Sequence, residues 1–110
     1  MRQYKIDELS REERANIESY LNRTLKSGPV NGVYWIEVPQ DLLGMEQRAH
    51  IDCGPFFFGV VLEEEAVCFE MLVRSLTNLH CSCIAYATSA QRDFVLRFVD
   101  KMIAEERIRA

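Results

Sequence analysis

The sequence contains no apolar run near the ~20 residues needed to span a bilayer, and no window dense in Lys and Arg. The first absence argues against a membrane segment. The second, with a formal net charge of -4, argues against nucleic acid as a partner. The opening stretch MRQYKIDELSREER is polar and lacks the apolar centre of an export signal, which points to the cytoplasm. There is no phosphate-binding glycine loop, no dinucleotide fingerprint and no serine-centred elbow. Internal repeats, low-complexity tracts and linkers are also missing, so the 110 residues are expected to form one domain. Residues 1–9 and 105–110 are expected to fray.

Nearly half of the residues are apolar, enough to build a core without staples. The strongest pattern is FFFGVVLEEEAVCFEMLVR, Phe56 to Arg74. Two strand-length runs rich in Phe and Val flank three adjacent carboxylates, Glu63, Glu64 and Glu65, which repel one another and stay hydrated. This is the pattern of a β-hairpin. Side chains alternate along a strand. Phe56, Phe58, Val60 and Leu62 therefore pair with Val67, Phe69, Met71 and Val73 on one wholly apolar face. The opposite face, with Phe57, Val61, Cys68, Glu70, Leu72 and Arg74, is only half polar.

Ser10 and Glu13 have capping-box spacing, and the stripe Ala15, Ile17, Tyr20, Leu21, Leu25 predicts an amphipathic helix from there to about Lys26. Val33 to Val38 reads as a strand ended by Pro39. Met45 to Cys53 alternates apolar and charged residues, which favours a strand; a short helix over Asp41 to Ala49 is the competing reading. Leu79 to Ala87 is expected to be the last strand, showing small residues, Cys81 and Cys83 among them, to a helix above. That helix follows, with Thr88 and Gln91 as a second capping box and a stripe of Phe94, Val95, Phe98, Val99, Met102 and Ile103. The fold class expected is α+β: a mainly antiparallel four- to five-stranded sheet with an N-terminal and a C-terminal helix on one face.

Without an export signal the four cysteines are expected to be reduced, structural thiols. The candidate metal ligands are Cys81, Cys83, His80 and Cys53, since thiolate and imidazole suit zinc. On a strand, however, Cys81 and Cys83 would stand ~7 Å apart, with His80 on the other face, so metal binding is the lesser expectation and no cofactor is called for. His50 and Asp52, on one face of the proposed Met45–Cys53 strand, could transfer protons, but a solvated mixed-charge face is the preferred explanation. No cysteine-nucleophile signature is visible, and no catalytic residue is assigned.

The leading functional expectation is a small cytosolic, non-catalytic interaction module. Two helices can cover only one sheet face. The other would leave Phe57, Val61, Leu72, Ile84 and Tyr86 as an apolar patch of a kind that rarely stays bare. A second copy related by a two-fold axis, or another protein, is the expected cover. A metal or small-ligand sensor using the Cys/His set is the alternative, and a small enzyme using His50, Asp52 or a cysteine is the third reading.

Overall fold

The structure, a computed structural model, describes residues 2–108. Its elements are strand β1 (Gln3–Ile6), helix α1 (Arg11–Thr24), strands β2 (Lys26–Ser27) and β3 (Val33–Glu37), helix α2 (Met45–Ala49), strands β4 (Phe56–Leu62), β5 (Val67–Ser75) and β6 (Ala85–Tyr86), and helix α3 (Ser89–Glu106). The sheet is antiparallel throughout, in the order β1-β5-β4-β3-β2, with β6 pairing β5 beyond the end of β1. The fold is α+β, as expected, with one more strand than the sequence suggests.

The central hairpin lies where the apolar runs place it. Leu62 pairs with Val67, and the Glu63 N–H closes the turn on the Ala66 carbonyl at 2.8 Å. Its predicted core face is buried along both strands. A register shift between Phe58 and Val60 leaves Gly59 facing the extra residues of β5. A Cβ on Gly59 would lie 2.5 Å from Glu70 Oε1 and 3.4 Å from Trp35, so glycine is what lets both side chains cover this strand.

Both capping boxes form. The Ser10 hydroxyl accepts from the Glu13 N–H at 3.1 Å and Glu13 Oε1 accepts from the Ser10 N–H at 2.9 Å. Thr88 and Gln91 repeat the exchange at 3.2 and 2.8 Å. Helices α1 and α3 pack side by side on the hairpin's core face. Ile17, Tyr20 and Leu21 of α1 and Val95, Val99 and Met102 of α3 close a single core with Phe58, Val60 and Phe69.

Five expectations are corrected. The N-terminal segment expected to fray includes an edge strand: Gln3–Ile6 pairs with β5, Ile6 opposite Val67. Helix α1 stops at Thr24, because Lys26 pairs with Trp35 as a short edge strand. At the other end, α3 runs through Glu105 and Glu106, and Ile108 is buried; residues 109–110 lie outside the described residues.

The Met45–Cys53 segment is a helix followed by a 3-10 turn at Ile51–Cys53, not a strand. Its alternation misleads because the residue it buries is Gln47, whereas Met45 and Ile51 face solvent.

The largest departure is Leu79–Ala87, where only Ala85–Tyr86 is strand. Side chains capture the backbone first. The Ser75 hydroxyl accepts from the Asn78 N–H at 3.1 Å. Two successive turns follow, Cys81 N–H to the Asn78 carbonyl at 3.4 Å and Ile84 N–H to the Cys81 carbonyl at 3.1 Å. Such local bonds compete with a ladder.

Candidate metal centre

Those two turns decide where the thiols go. On a strand Cys81 and Cys83 would be held apart; on the folded loop they converge with Cys53. The Sγ atoms of Cys53, Cys81 and Cys83 all lie within 4.8 Å of one another. Cys53 and Cys81 approach to 3.4 Å. Tetrahedral zinc with Zn–S bonds of about 2.3 Å places its sulfurs about 3.8 Å apart, so three thiolates could reach one ion with small side-chain shifts. Among the described residues this is the only such group of three or more His, Cys, Asp or Glu side chains.

Each cysteine is held by its own backbone. Cys53 ends the 3-10 turn, and its carbonyl accepts from the Ser75 hydroxyl at 2.6 Å and the Thr77 hydroxyl at 2.9 Å. These bonds tie the end of β4's lead-in to the loop that carries the other two thiols. The Cys83 carbonyl accepts from Gln47 Nε2 at 2.8 Å. Gln47 is itself buried, and its Oε1 accepts from the Gly44 N–H at 2.7 Å and from Gln91 Nε2 at 3.2 Å. The capping residue of α3 is thereby linked through one amide to the backbone of the cluster.

The three sulfurs are electrostatically unequal. Cys81 is pulled below the usual thiol range, chiefly by the Cys83 N–H, which donates to its sulfur at 3.4 Å. Cys53 is raised, first by its hydrogen bond to Cys81 and then by burial. Burial pushes Cys83 up to about 12. Cys83 is fully buried, while Cys53 and Cys81 are half-exposed, so an ion has an open approach on one side.

The remaining candidates are dispersed. His80 is exposed and stands outside the cluster, its N–H on Asn78 Oδ1 at 3.4 Å. Cys68 lies across the sheet, 3.7 Å from a Glu63 carboxylate oxygen, and burial raises its pKa. His50 and Asp52 do not share a strand face, because a helix end and a 3-10 turn replace that strand. His50 Nε2 lies 3.2 Å from the Ser82 hydroxyl, between the two loop cysteines in sequence.

The proposed interface residues do fall on the sheet face away from the helices. Phe57 is already covered, its ring edge-on to Trp35 at 6.4 Å. Val61, Leu72 and Ile84 are half-buried. Tyr86 is 49% exposed, with the Arg2 guanidinium 4.4 Å above its ring. A concavity of about 440 Å³ opens on this face among Trp35, Val61, Leu79 and Ile84. Glu70 and Arg74 cross it as a two-point ion pair at 3.0 and 3.1 Å.

What sequence reasoning missed is the convergence itself: Ser75 to Asn78 reads as a turn from sequence, but the chain goes on turning through Ile84 instead of extending. Ser75, Thr77 and Asn78 are turn formers that stand just before the Cys-x-Cys pair. No helix among the described residues is long and apolar enough to cross a membrane. Set against known proteins, the chain matches no family model, no curated sequence and no solved structure.

Proposed function

We propose that the protein is a thiolate metal-binding domain, taking zinc or a softer ion through Cys53, Cys81 and Cys83. The observation that carries this reading is the meeting of three sulfurs within 4.8 Å from two separate chain segments. Three thiolates suit zinc and softer ions over the hard cations, which prefer oxygen. Three protein ligands leave a fourth position to water or to a group from another molecule, the pattern of an exchanging site. A reducing compartment such as the cytoplasm would keep the thiols available. The test is cobalt titration of reduced protein without oxygen. Thiolate-to-cobalt charge-transfer absorption should saturate near one ion per chain, persist in Cys68→Ser, and be lost or weakened in Cys53→Ser, Cys81→Ser and Cys83→Ser. No saturation, or equal loss in Cys68→Ser, removes the reading.

A second reading is favoured by the concavity on the outer sheet face. Leu79, 67% exposed at its rim, and half-exposed Tyr86 beside it offer apolar area to another surface. The protein would then act as a homodimer or as a subunit of a complex, with the metal loop at the edge of the contact.

A further inference from the structure

We propose that Cys53 and Cys81 are a reversible disulfide pair, oxidised by hydroperoxides, with Cys83 left as the third, reduced thiol. The proposal uses the same cluster as the metal reading but does not depend on a metal being bound.

The geometry selects this pair from the four cysteines. Cys53 and Cys81 approach to 3.4 Å between sulfurs. A disulfide needs about 2.05 Å, so the remaining gap closes by small rotations of two side chains. Both are half-exposed, whereas Cys83 and Cys68 are buried, so a small oxidant reaches this pair first. Cys68 sits against Glu63 on another part of the sheet, so it is no competing partner. Their separation in sequence, 28 residues, avoids the small strained ring that a bond between Cys81 and Cys83 would make. The loop is also pinned for the purpose. Ser75 and Thr77 both donate to the Cys53 carbonyl, at 2.6 and 2.9 Å, and hold its chain beside the turn that carries Cys81.

The chemistry balances. The Cys81 thiolate, to which the Cys83 N–H is directed at 3.4 Å, attacks one peroxide oxygen. The O–O bond breaks, and the departing hydroxide, or alkoxide from an organic peroxide, takes a proton to become water or an alcohol. Cys81 is then a sulfenic acid. The Cys53 thiolate attacks that sulfur, the S–O bond breaks, and a second hydroxide leaves as water. Two thiols have lost two electrons and two protons to the peroxide. An ion held by the same sulfurs would be expelled, since neither sulfur of a disulfide remains a thiolate ligand.

The experiment treats reduced, metal-free, full-length protein with one equivalent of hydrogen peroxide, then blocks free thiols and maps peptides by mass. The expected result is a loss of about 2 Da before blocking, two thiols still open to alkylation, a Cys53–Cys81 linkage, and full reversal by dithiothreitol. Cys68→Ser should behave as the natural chain, while Cys53→Ser should stop at the sulfenic acid. A linkage to Cys83 or Cys68, bonds only between chains, or four free thiols after glutathione in the same buffer has been oxidised would each overturn the proposal. The wild-type map decides the matter even if a variant folds poorly. A chain that forms the disulfide but takes up no cobalt removes the metal reading alone; one that takes up cobalt but resists peroxide removes this one alone.

Discussion

The amide of Gln47 donates to the carbonyl of Cys83 at 2.8 Å, from a side chain that is itself almost wholly buried. The same side chain accepts from Gly44 and Gln91, so it joins helix α2, the start of helix α3 and the thiol loop. Gln47→Leu keeps the bulk and removes all three bonds. Each buried group left unsatisfied costs about 1–3 kcal/mol, so a denaturant melt should show a loss at least that large. Metal affinity should also fall, by roughly tenfold or more, as when the support of a ligand is removed. A variant with unchanged cobalt affinity in the folded protein would separate Gln47 from the site and leave it a purely structural residue.

Metal uptake should strengthen as the solution becomes more alkaline. Ligand thiols must lose their protons to bind. Burial holds Cys83 up at about 12, and the bond to Cys81 raises Cys53 as well. Both are therefore protonated in the free chain at neutral pH, and both protons leave when the ion enters. Cys81, lowered by the Cys83 N–H, gives up its proton more readily than the other two. The apparent association constant should climb by at least about two decades per pH unit between pH 6 and 8, less any change in the competing chelator. Competition titrations at three pH values would measure this slope. A flat profile would mean that thiolates are not the ligands.

Helix α3 offers a test of register. Phe98 is half-buried, its ring edge-on to Tyr20 at 5.8 Å and tilted against Phe69 at 6.2 Å. Phe98→Ala should destabilise by about 3 kcal/mol, the low end for a buried Phe because the ring is not fully enclosed. Arg97, exposed on the other side, should tolerate Ala within ~0.5 kcal/mol. Denaturant melts of the two variants should differ clearly; equal shifts would mean that the helix presents another face to the sheet.

The parts of the fold legible in the sequence are those in which burial and local chemistry agree. Phe56 to Val73 forms a hairpin because alternation, turn charges and β-branched residues all favour it, and both helix starts follow from capping spacing. The legible signal fails where a polar residue is buried or a turn runs on past the residues that mark it. Gln47 inside the core reverses the reading of Met45–Cys53, and Ser75, Thr77 and Asn78 bend the chain before Leu79–Ala87 can extend. The thiol cluster depends on both failures at once. Cys53 is placed by the end of the first segment and Cys81 and Cys83 by the second, so residue spacing alone could not bring them together.

The outer sheet face yields the last test. The sheet face opposite the two long helices carries Leu72 and Tyr86 and opens into a concavity of about 440 Å³ lined by Val61, Ile84 and the exposed Leu79. A standard interface takes about 800 Å² from each partner, roughly 12% of the 6851 Å² that the chain exposes. The Glu70–Arg74 pair is satisfied within the chain at 3.0 and 3.1 Å, so a second copy would meet a charge already neutralised rather than a bare one. Leu72 pairs with Tyr86 across β5 and β6 and faces outward. Leu72→Glu would set a second carboxylate beside Glu70 and force it under any partner, where an unpaired charge costs several kcal/mol. In the isolated chain the same carboxylate stays wet, so the fold should lose only about 1 kcal/mol. Light scattering during gel filtration at tens of micromolar should therefore find a dimer for the natural chain and a monomer for Leu72→Glu, with similar melting behaviour once dissociation is accounted for. A natural chain that is already monomeric, and unchanged by Leu72→Glu, would remove the homodimer; the face would then be left to a partner of a different kind or to solvent.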